Sequence, residues 1–326
     1  MKKGLVTAAS LLLCFLAHSQ EADELGSAAE LSVVARGEYL NTDPLGNSSL
    51  YTLMEGSLTE NLSYSISNHW LSSDPGTLYR NTLRSDDVNW LDWAYLTYSF
   101  NDFSLSAGKN VLLWGTFEYD EYDFDIHYPF ASSVWNNMNS YQWGVSAAWM
   151  PAEDAALEFM ASTSPFGEKP FASKLFTYGA RFSLGSEPFS AKIAYNHIGT
   201  GLDGREAYMG VVSGGVRVSC GDLQITGDFS TRTGDEEDIL AKGLSSALDV
   251  KYTFSDRFDM ALHGNNEWNG ARNTAYYSLG AVAQYYPVEN LRIHLLGAGY
   301  WGHNIDQDRI APVFSVGLTY TFSARW

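Results

Sequence analysis

The chain has 326 residues, a formal charge of −18, and 14% aromatic residues: 20 Tyr, 17 Phe and 10 Trp. So large an excess of acid leaves no basic stripe for phosphates, which argues against a nucleic-acid partner. Of the two cysteines only Cys220 lies beyond the leader described next, which excludes an intrachain disulfide in a processed chain.

Residues 1–20 read as a secretory signal peptide. "MKK" is a basic start, "GLVTAASLLLCFLA" is an apolar run of 14, and "AHSQ" offers small residues before the acidic "EADE". That run is too short to cross a bilayer as a helix. Cleavage is expected near Ser19 or Gln20. Leu12 and Leu13 before Cys14 do not suit a lipoprotein signal, so no lipid anchor is read. Loss of Lys2 and Lys3 would leave 18 basic against 38 acidic residues, a charge of −20. Residues 21–326 are read as one domain. No later run reaches 18 apolar residues, so no transmembrane helix is predicted there.

From there the dominant period is 2, the signature of strands with one apolar and one polar face. "AELSVVARGEYL" comes first. Seven pairs then flank short turns. "LMEGSL" and "LSYSISNHW" surround "TEN", and "AYLTYSF" and "FSLSAG" surround Asn101-Asp102. "YQWGVSAAW" and "ALEFMAS" surround "PAED", and "YGARFSL" and "FSAKIAYN" surround "GSEP". "VVSGGVRVSC" and "LQITGDFS" surround Gly221-Asp222, and "ALDVKYTF" and "FDMALHG" surround "SDR". "LGAVAQYY" and "LRIHLLGAG" surround "PVEN". The last strand is "FSVGLTYTFSARW", with Phe314, Val316, Leu318, Tyr320, Phe322, Ala324 and Trp326 on one face. These are hairpin turns rich in turn-forming residues.

Longer, more polar connections fall between the pairs, at 71–89, 115–139, 163–174, 197–207, 234–245, 266–275 and 301–309. Short and long connections alternate strictly. Sixteen strands follow, with all tight turns and both termini at one end. A secreted β-sandwich shares the period but not that asymmetry. Aromatics also crowd the strand ends beside the turns (Phe100, Phe103, Trp149, Phe254, Phe258, Tyr285). The expected fold is therefore all-β, a transmembrane antiparallel barrel with short periplasmic turns and long extracellular loops. Closure pairs every backbone group without leaving an edge in lipid. Such a barrel would sit among outer-membrane lipid and lipopolysaccharide. The aromatic end at Trp326 resembles the C-terminal signal read by the outer-membrane assembly machinery.

Counting phase from each tight turn places Glu158, Arg181, Lys192, Arg217, Asp228, Arg232, Asp249, Lys251, Asp259, His263, Arg292 and His294 inside, in a wet lumen. The basic members Arg181, Lys192, Arg217, Arg232, Lys251 and Arg292 form a candidate basic wall. Lys109 does not fit strict alternation and needs a bulge, which Gly108 permits, or a place near the rim. The apolar "VLLW" after it has no alternation at all.

The longest connection holds "TFEYDEYDFDIHY", with Glu118, Asp120, Glu121, Asp123 and Asp125 among aromatics. Phe117, Tyr119, Tyr122, Phe124, Tyr128 and Phe130 give it surface to pack, so it is expected to fold inward as a constriction loop after strand 5. Its acids would then face the basic wall across the lumen and set selectivity by rings of charge. Asp120, Asp123 and Asp125 are the residues a Ca²⁺ ion would use, but the spacing is not that of an EF-hand, and no metal or other cofactor is expected. His127 has no spaced partner for Zn²⁺.

"LSAGKNVLLWGTFEYDEYDFDIHYP", followed by "YQWGVSAAW", resembles Bacteroidetes-type outer-membrane porins related to the phosphate-selective porin O/P family. The resemblance covers about 40 residues closely and the rest by architecture. It implies a diffusion channel for small hydrophilic solutes and a homotrimer. Phosphate preference in that family relies on a basic constriction, and this loop is acidic. A substrate-specific channel for anions or oligosaccharides is the alternative, with the aromatic "NEWNGARNT" and "YWGHNIDQD" as stacking surfaces. An outer-membrane barrel enzyme is a third reading. "HGNNEWNG" is similar to the His-Ser-Asn segment of barrel phospholipases, but Asn265 stands where the serine nucleophile belongs, so the chain is read as no enzyme.

Overall fold

A computed structural model describes residues 29–41, 48–71, 91–120, 130–132, 134, 138–167, 171–201, 207–234, 243–269, 274–302 and 312–326. The expected signal peptide lies outside them. The described residues form sixteen strands: β1 (Ala29–Leu40), β2 (Ser49–Thr59), β3 (Leu62–Leu71), β4 (Leu91–Phe100), β5 (Phe103–Val111), β6 (Tyr141–Ala152), β7 (Ala155–Thr163), β8 (Phe176–Ser186), β9 (Phe189–Gly199), β10 (Tyr208–Cys220), β11 (Leu223–Gly234), β12 (Gly243–Ser255), β13 (Phe258–Asn269), β14 (Thr274–Val288), β15 (Leu291–Gly302) and β16 (Val313–Arg325). Each pairs antiparallel with its chain neighbours, and β1 pairs with β16, so the sheet is a closed barrel. The seam runs from Glu30↔Arg325 to Leu40↔Ser315. At its end Ala29 and Trp326 exchange backbone hydrogen bonds, both 2.9 Å.

All seven tight turns are two residues long, at 60–61, 101–102, 153–154, 187–188, 221–222, 256–257 and 289–290. Asn101 (φ 49°) and Gly221 (φ 59°) hold the left-handed conformation that such hairpins need, which is why Asn and Gly stand there. The strand ends joined by the long connections lie at the other end.

The outer face is predominantly apolar. Leu105, Val145, Phe159, Ile193, Leu248, Leu262 and Leu279 are all more than half exposed. A continuous apolar band of this kind is a liability in water and a match for lipid. Aromatic side chains rim both ends of it. At the tight-turn end Phe100 stacks on Phe103 (5.7 Å), Phe103 on Trp149 (6.2 Å), and Phe254 lies 5.3 Å from Phe258. At the loop end Tyr277 stacks on Trp301 (5.8 Å), with Tyr39, Trp70 and Trp268 also exposed. Such girdles suit the two interfaces of a bilayer.

The inner face carries Ser, Thr and charged residues, and every lumenal charge placed by counting phase lies there. Lys109 is resolved by local backbone. Gly108 adopts φ 140°, β4 carries an irregularity opposite Ser67 and Asn68, and the Lys109 ammonium donates to the Leu91 carbonyl within a buried site.

Candidate functional site

Beyond β5 the chain turns into the barrel. "VLLW" loses alternation because it is no longer wall. Leu112, Leu113 and Trp114 are covered on all sides, together with Val134 and Met138. They pack against Met160 of β7, Ile198 of β9, and Met209 and Val211 of β10. These four side chains occupy the lumenal phase of their strands, where an open pore would carry polar groups. They form an apolar landing patch for the loop.

Hydrogen bonds then fix the loop to four consecutive strands. Arg181 of β8 donates to the Trp114 carbonyl (3.3 Å), Asn196 of β9 to the Leu113 carbonyl (2.8 Å), and Gly115 N–H donates to Ser213 Oγ of β10 (2.8 Å). Gly115 is required there: a Cβ would lie 2.2 Å from the Ser213 carbonyl oxygen. On β11 the Asp228 carboxylate accepts from Phe117 N–H (2.9 and 3.0 Å) and Glu118 N–H (3.1 Å). Residues 118–120 form a single 3-10 turn, so a wall carboxylate caps its N-terminal donors. The Phe117 ring sits in the notch left by Gly215, with Lys192 Nζ 4.7 Å and Arg217 Cζ 4.4 Å from its centroid.

A second notch receives the far part of the loop. Phe130 lies against Gly280, where a Cβ would fall 2.5 Å from the ring, among Val282, Leu296, Ala298, Tyr300 and Val313. Burying that ring contributes about 2–3 kcal/mol. His263 lies 4.7 Å from the ring, and Asn265 donates to the Phe130 carbonyl (3.2 Å). The segment similar to a phospholipase motif thus holds the loop, with His263 Nδ1 also 3.3 Å from Asp249.

Of the acids singled out in the sequence, Glu118 and Asp120 are described; Glu121, Asp123 and Asp125 lie outside the described residues. Asp120 is joined directly to Lys192 of β9. Loop and wall therefore touch at this point, where the sequence suggested a gap between them. Arg181 holds Glu158 through two bonds, 2.6 and 2.9 Å. Arg217 donates to Thr226 (3.1 Å), buried Arg232 lies 3.7 Å from Glu267, Lys251 lies 3.9 Å from Asp259, and Arg292 donates to Thr319 (3.3 Å). Arg181, Lys192 and Arg217 contact the loop; Lys251 and Arg292 belong to the wall beyond it. Among the described residues no group of three or more His, Cys, Asp or Glu is set to hold a metal ion.

Glu118 accepts from Ser132 Oγ (2.7 Å) and Ser132 N–H (3.2 Å). It keeps some surface open to the lumen but is ringed by protein. Burial pushes its carboxyl up to about 7, the Ser132 bonds partly offset this, and Asp228 and Glu267 add to the rise. Tyr119 stacks on Trp114 (5.0 Å), and burial raises its phenol well above the ordinary value.

Sequence reasoning missed the landing patch, the two glycine notches and the capping role of Asp228. A signal for the patch is present: "HIG" and "YMGVV" place apolar residues on both phases near the loop end.

No protein-family model matches the chain, and no curated protein matches it in sequence. Solved structures do match its fold. An anion-selective porin from Comamonas acidovorans superposes with a TM-score of 0.65 at 12% identity, over 91% of this chain and 100% of that one. The outer membrane channel DcaP of Acinetobacter baumannii gives 0.64 at 13% identity, over 91% and 98%. Salmonella typhi OmpF, in complex with daunomycin, gives 0.62 at 12% identity, over 91% and 97%. At these identities the likeness is one of fold.

Proposed function

We propose that the chain is an outer-membrane porin of a Gram-negative cell, exported by its signal peptide. It would form a water-filled channel for passive diffusion of ions and small hydrophilic solutes, and it would not be an enzyme. The observation that carries this reading is a closed sixteen-strand sheet, apolar outside and polar inside, with a loop fastened within it. A sheet of sixteen strands encloses too much space for side chains alone to fill. The fold shared with a porin and an outer membrane channel supports it. In planar bilayers the folded protein is expected to give stepwise ion conductance; a folded barrel that passes no current ends the reading.

In this reading the loop sets selectivity. Glu118, Asp120, Glu121, Asp123 and Asp125 supply the acidic side, Arg181, Lys192, Arg217, Arg232, Lys251 and Arg292 the basic wall, and cations are preferred at neutral pH. Replacing Glu118, Asp120, Glu121 and Asp123 by Ser is expected to move the reversal potential toward anions. An unchanged potential would remove the loop from selectivity.

The narrower kinship with Bacteroidetes-type porins of the phosphate-selective O/P family rests on the "FEYD" segment and its flanks. Phosphate itself is disfavoured as the solute, because Arg181 and Lys192 are already held by Glu158 and Asp120. The same kinship implies a homotrimer, surrounded by lipid and lipopolysaccharide and delivered by the assembly machinery through the strand ending at Trp326. Native mass measurement in detergent is expected to give three chains per particle; a monomer would overturn that assignment.

A further inference from the structure

The tight-turn end of the barrel differs in charge from the rest of the chain. Its seven turns hold fourteen residues, of which eight are acidic and one, Arg257, is basic. The whole chain has 38 acids to 20 bases, so the turns are far more one-sided than composition requires. Glu60, Glu153, Glu187 and Glu289 supply half of the acids, and Asp102, Asp154, Asp222 and Asp256 the other half. Every turn carries at least one carboxylate, and the net formal charge, one base against eight acids, is −7.

Turn geometry does not call for this. Asp, Asn, Gly and Ser suit tight turns because a short side chain bonds nearby backbone or tolerates a left-handed residue, and Glu does neither. All eight acids are exposed, and among the described residues none of their carboxylates accepts a hydrogen bond or joins an ion pair. Solvation alone would be met equally well by Lys, Ser or Asn. Several acids inside the barrel and at its seam are matched instead: Glu158 by Arg181, Asp120 by Lys192, Glu38 by Arg36, Asp259 by Lys251 and Glu30 by Arg325. Adjacent tight turns are two strands apart, about 10 Å or more, so carboxylates of different turns are too distant to share one ion. The ring is a source of field and not a binding site.

Sixteen tilted strands put each turn roughly 16 Å from the barrel axis. The screening length is about 30 Å in 10 mM salt and about 3 Å in 1 M. At the lower salt the turn charges therefore act together on an ion at the axis and concentrate monovalent cations there roughly sixfold. At the higher salt their field dies before it reaches the axis. A divalent cation feels the same potential with twice the charge, so its enrichment is the square of that factor.

We propose that the tight-turn mouth is a second, salt-sensitive cation filter, in which the turn carboxylates act as one ring of fixed charge that gathers cations, divalent ones above all, on that side of the pore. The assignment rests on the channel reading and adds specificity-determining residues to it, far from the docked loop. A ring at one mouth also makes the pore electrically one-sided, so current at low salt is larger in one direction than in the other.

The test uses the full chain in planar bilayers, with KCl gradients centred on about 10 mM and about 1 M. In the variant each turn glutamate is replaced by Gln and each turn aspartate by Asn, which removes charge at exposed positions and keeps side-chain shape. At the lower salt the wild type is expected to favour K⁺ over Cl⁻ several-fold more strongly than the variant and to rectify, whereas the variant's current is symmetric. The two proteins should converge at the higher salt, where the ring is screened. Arg257→Gln, a single exposed change, raises the net charge of the ring and should increase both the preference and the rectification at low salt. MgCl₂ in place of KCl should widen the gap between wild type and variant. Equal permeability ratios for wild type and variant at low salt, or a gap between them that persists undiminished at high salt, would overturn the ring and leave the channel reading standing. A folded wild-type barrel that passes no current at either salt overturns the channel and the filter with it.

Discussion

Gly215→Leu is expected to lower single-channel conductance by roughly twofold, because current follows the cross-section of the narrowest point. Even a Cβ at this position would lie 2.3 Å from Asp228 Oδ1 and 2.7 Å from the Phe117 ring. Neither can be met by a small shift, since Asp228 is held by two loop N–H groups and Phe117 fills the notch. The leucine must therefore expel the ring and disturb the cap, at a cost on the order of 3 kcal/mol of charge-assisted hydrogen bonding. The displaced segment can only move toward the pore axis. β10 keeps its pairing with β9 and β11, because the substitution points inward and leaves the ladders intact. Gly227→Leu is the control: it lies on the outer phase of β11, nothing stands within 4 Å of its Cβ position, and conductance should not change. Unaltered or increased conductance in Gly215→Leu would show that the loop does not move into the pore.

Cation preference is expected to rise between pH 6 and pH 8, and Glu118→Gln is expected to flatten that rise. The Glu118 carboxyl is held at about 7 in the docked loop against an ordinary value of 4.5. Docked protein therefore binds more protons than undocked protein between those values. Docking is strongest below pH 4.5 and weakens as pH climbs through about 7. Allowing for its partial exposure, the loss is on the order of 2 kcal/mol. Ionisation at the same time adds a negative charge to the constriction, which favours cations. Imidazoles as a class titrate in this range too, so the wild-type curve alone does not identify the group. The difference between wild type and Glu118→Gln does. Coincident reversal-potential curves for the two proteins would rule Glu118 out as the source.

Strand number, turn positions and the inward phase of the charged residues were all legible in the chain, because each depends on neighbours within a few residues. Asn101-Asp102 and Gly221-Asp222 announce their hairpins locally, and period 2 then assigns every side chain between turns. The docking of the loop was not legible in the same way. Asp228 meets the Phe117 N–H across 111 residues of sequence, and nothing near either residue announces the other. Gly215 and Gly280 look like ordinary weak points of strands until the rings they receive are known. Acids and bases could be sorted to the lumen by phase, yet alternation carries no information about depth. That is why Asp120 and Lys192, both placed inside, were set facing each other and not in contact.

The seam between Ala29 and Trp326 has a consequence for how the barrel comes into being. Every other ladder joins strands adjacent in sequence and can form as soon as a hairpin exists. The β1–β16 ladder joins residues nearly 300 apart, up to Glu30 and Arg325. Closing that loop carries the largest entropic cost in the molecule and gives nothing back until the last strand arrives. A growing sheet therefore has two raw edges for almost its whole history, each able to pair with another chain. The thirteen residues of β16 act as a keystone: the wall stands only once they are seated, and until then something must shield both edges.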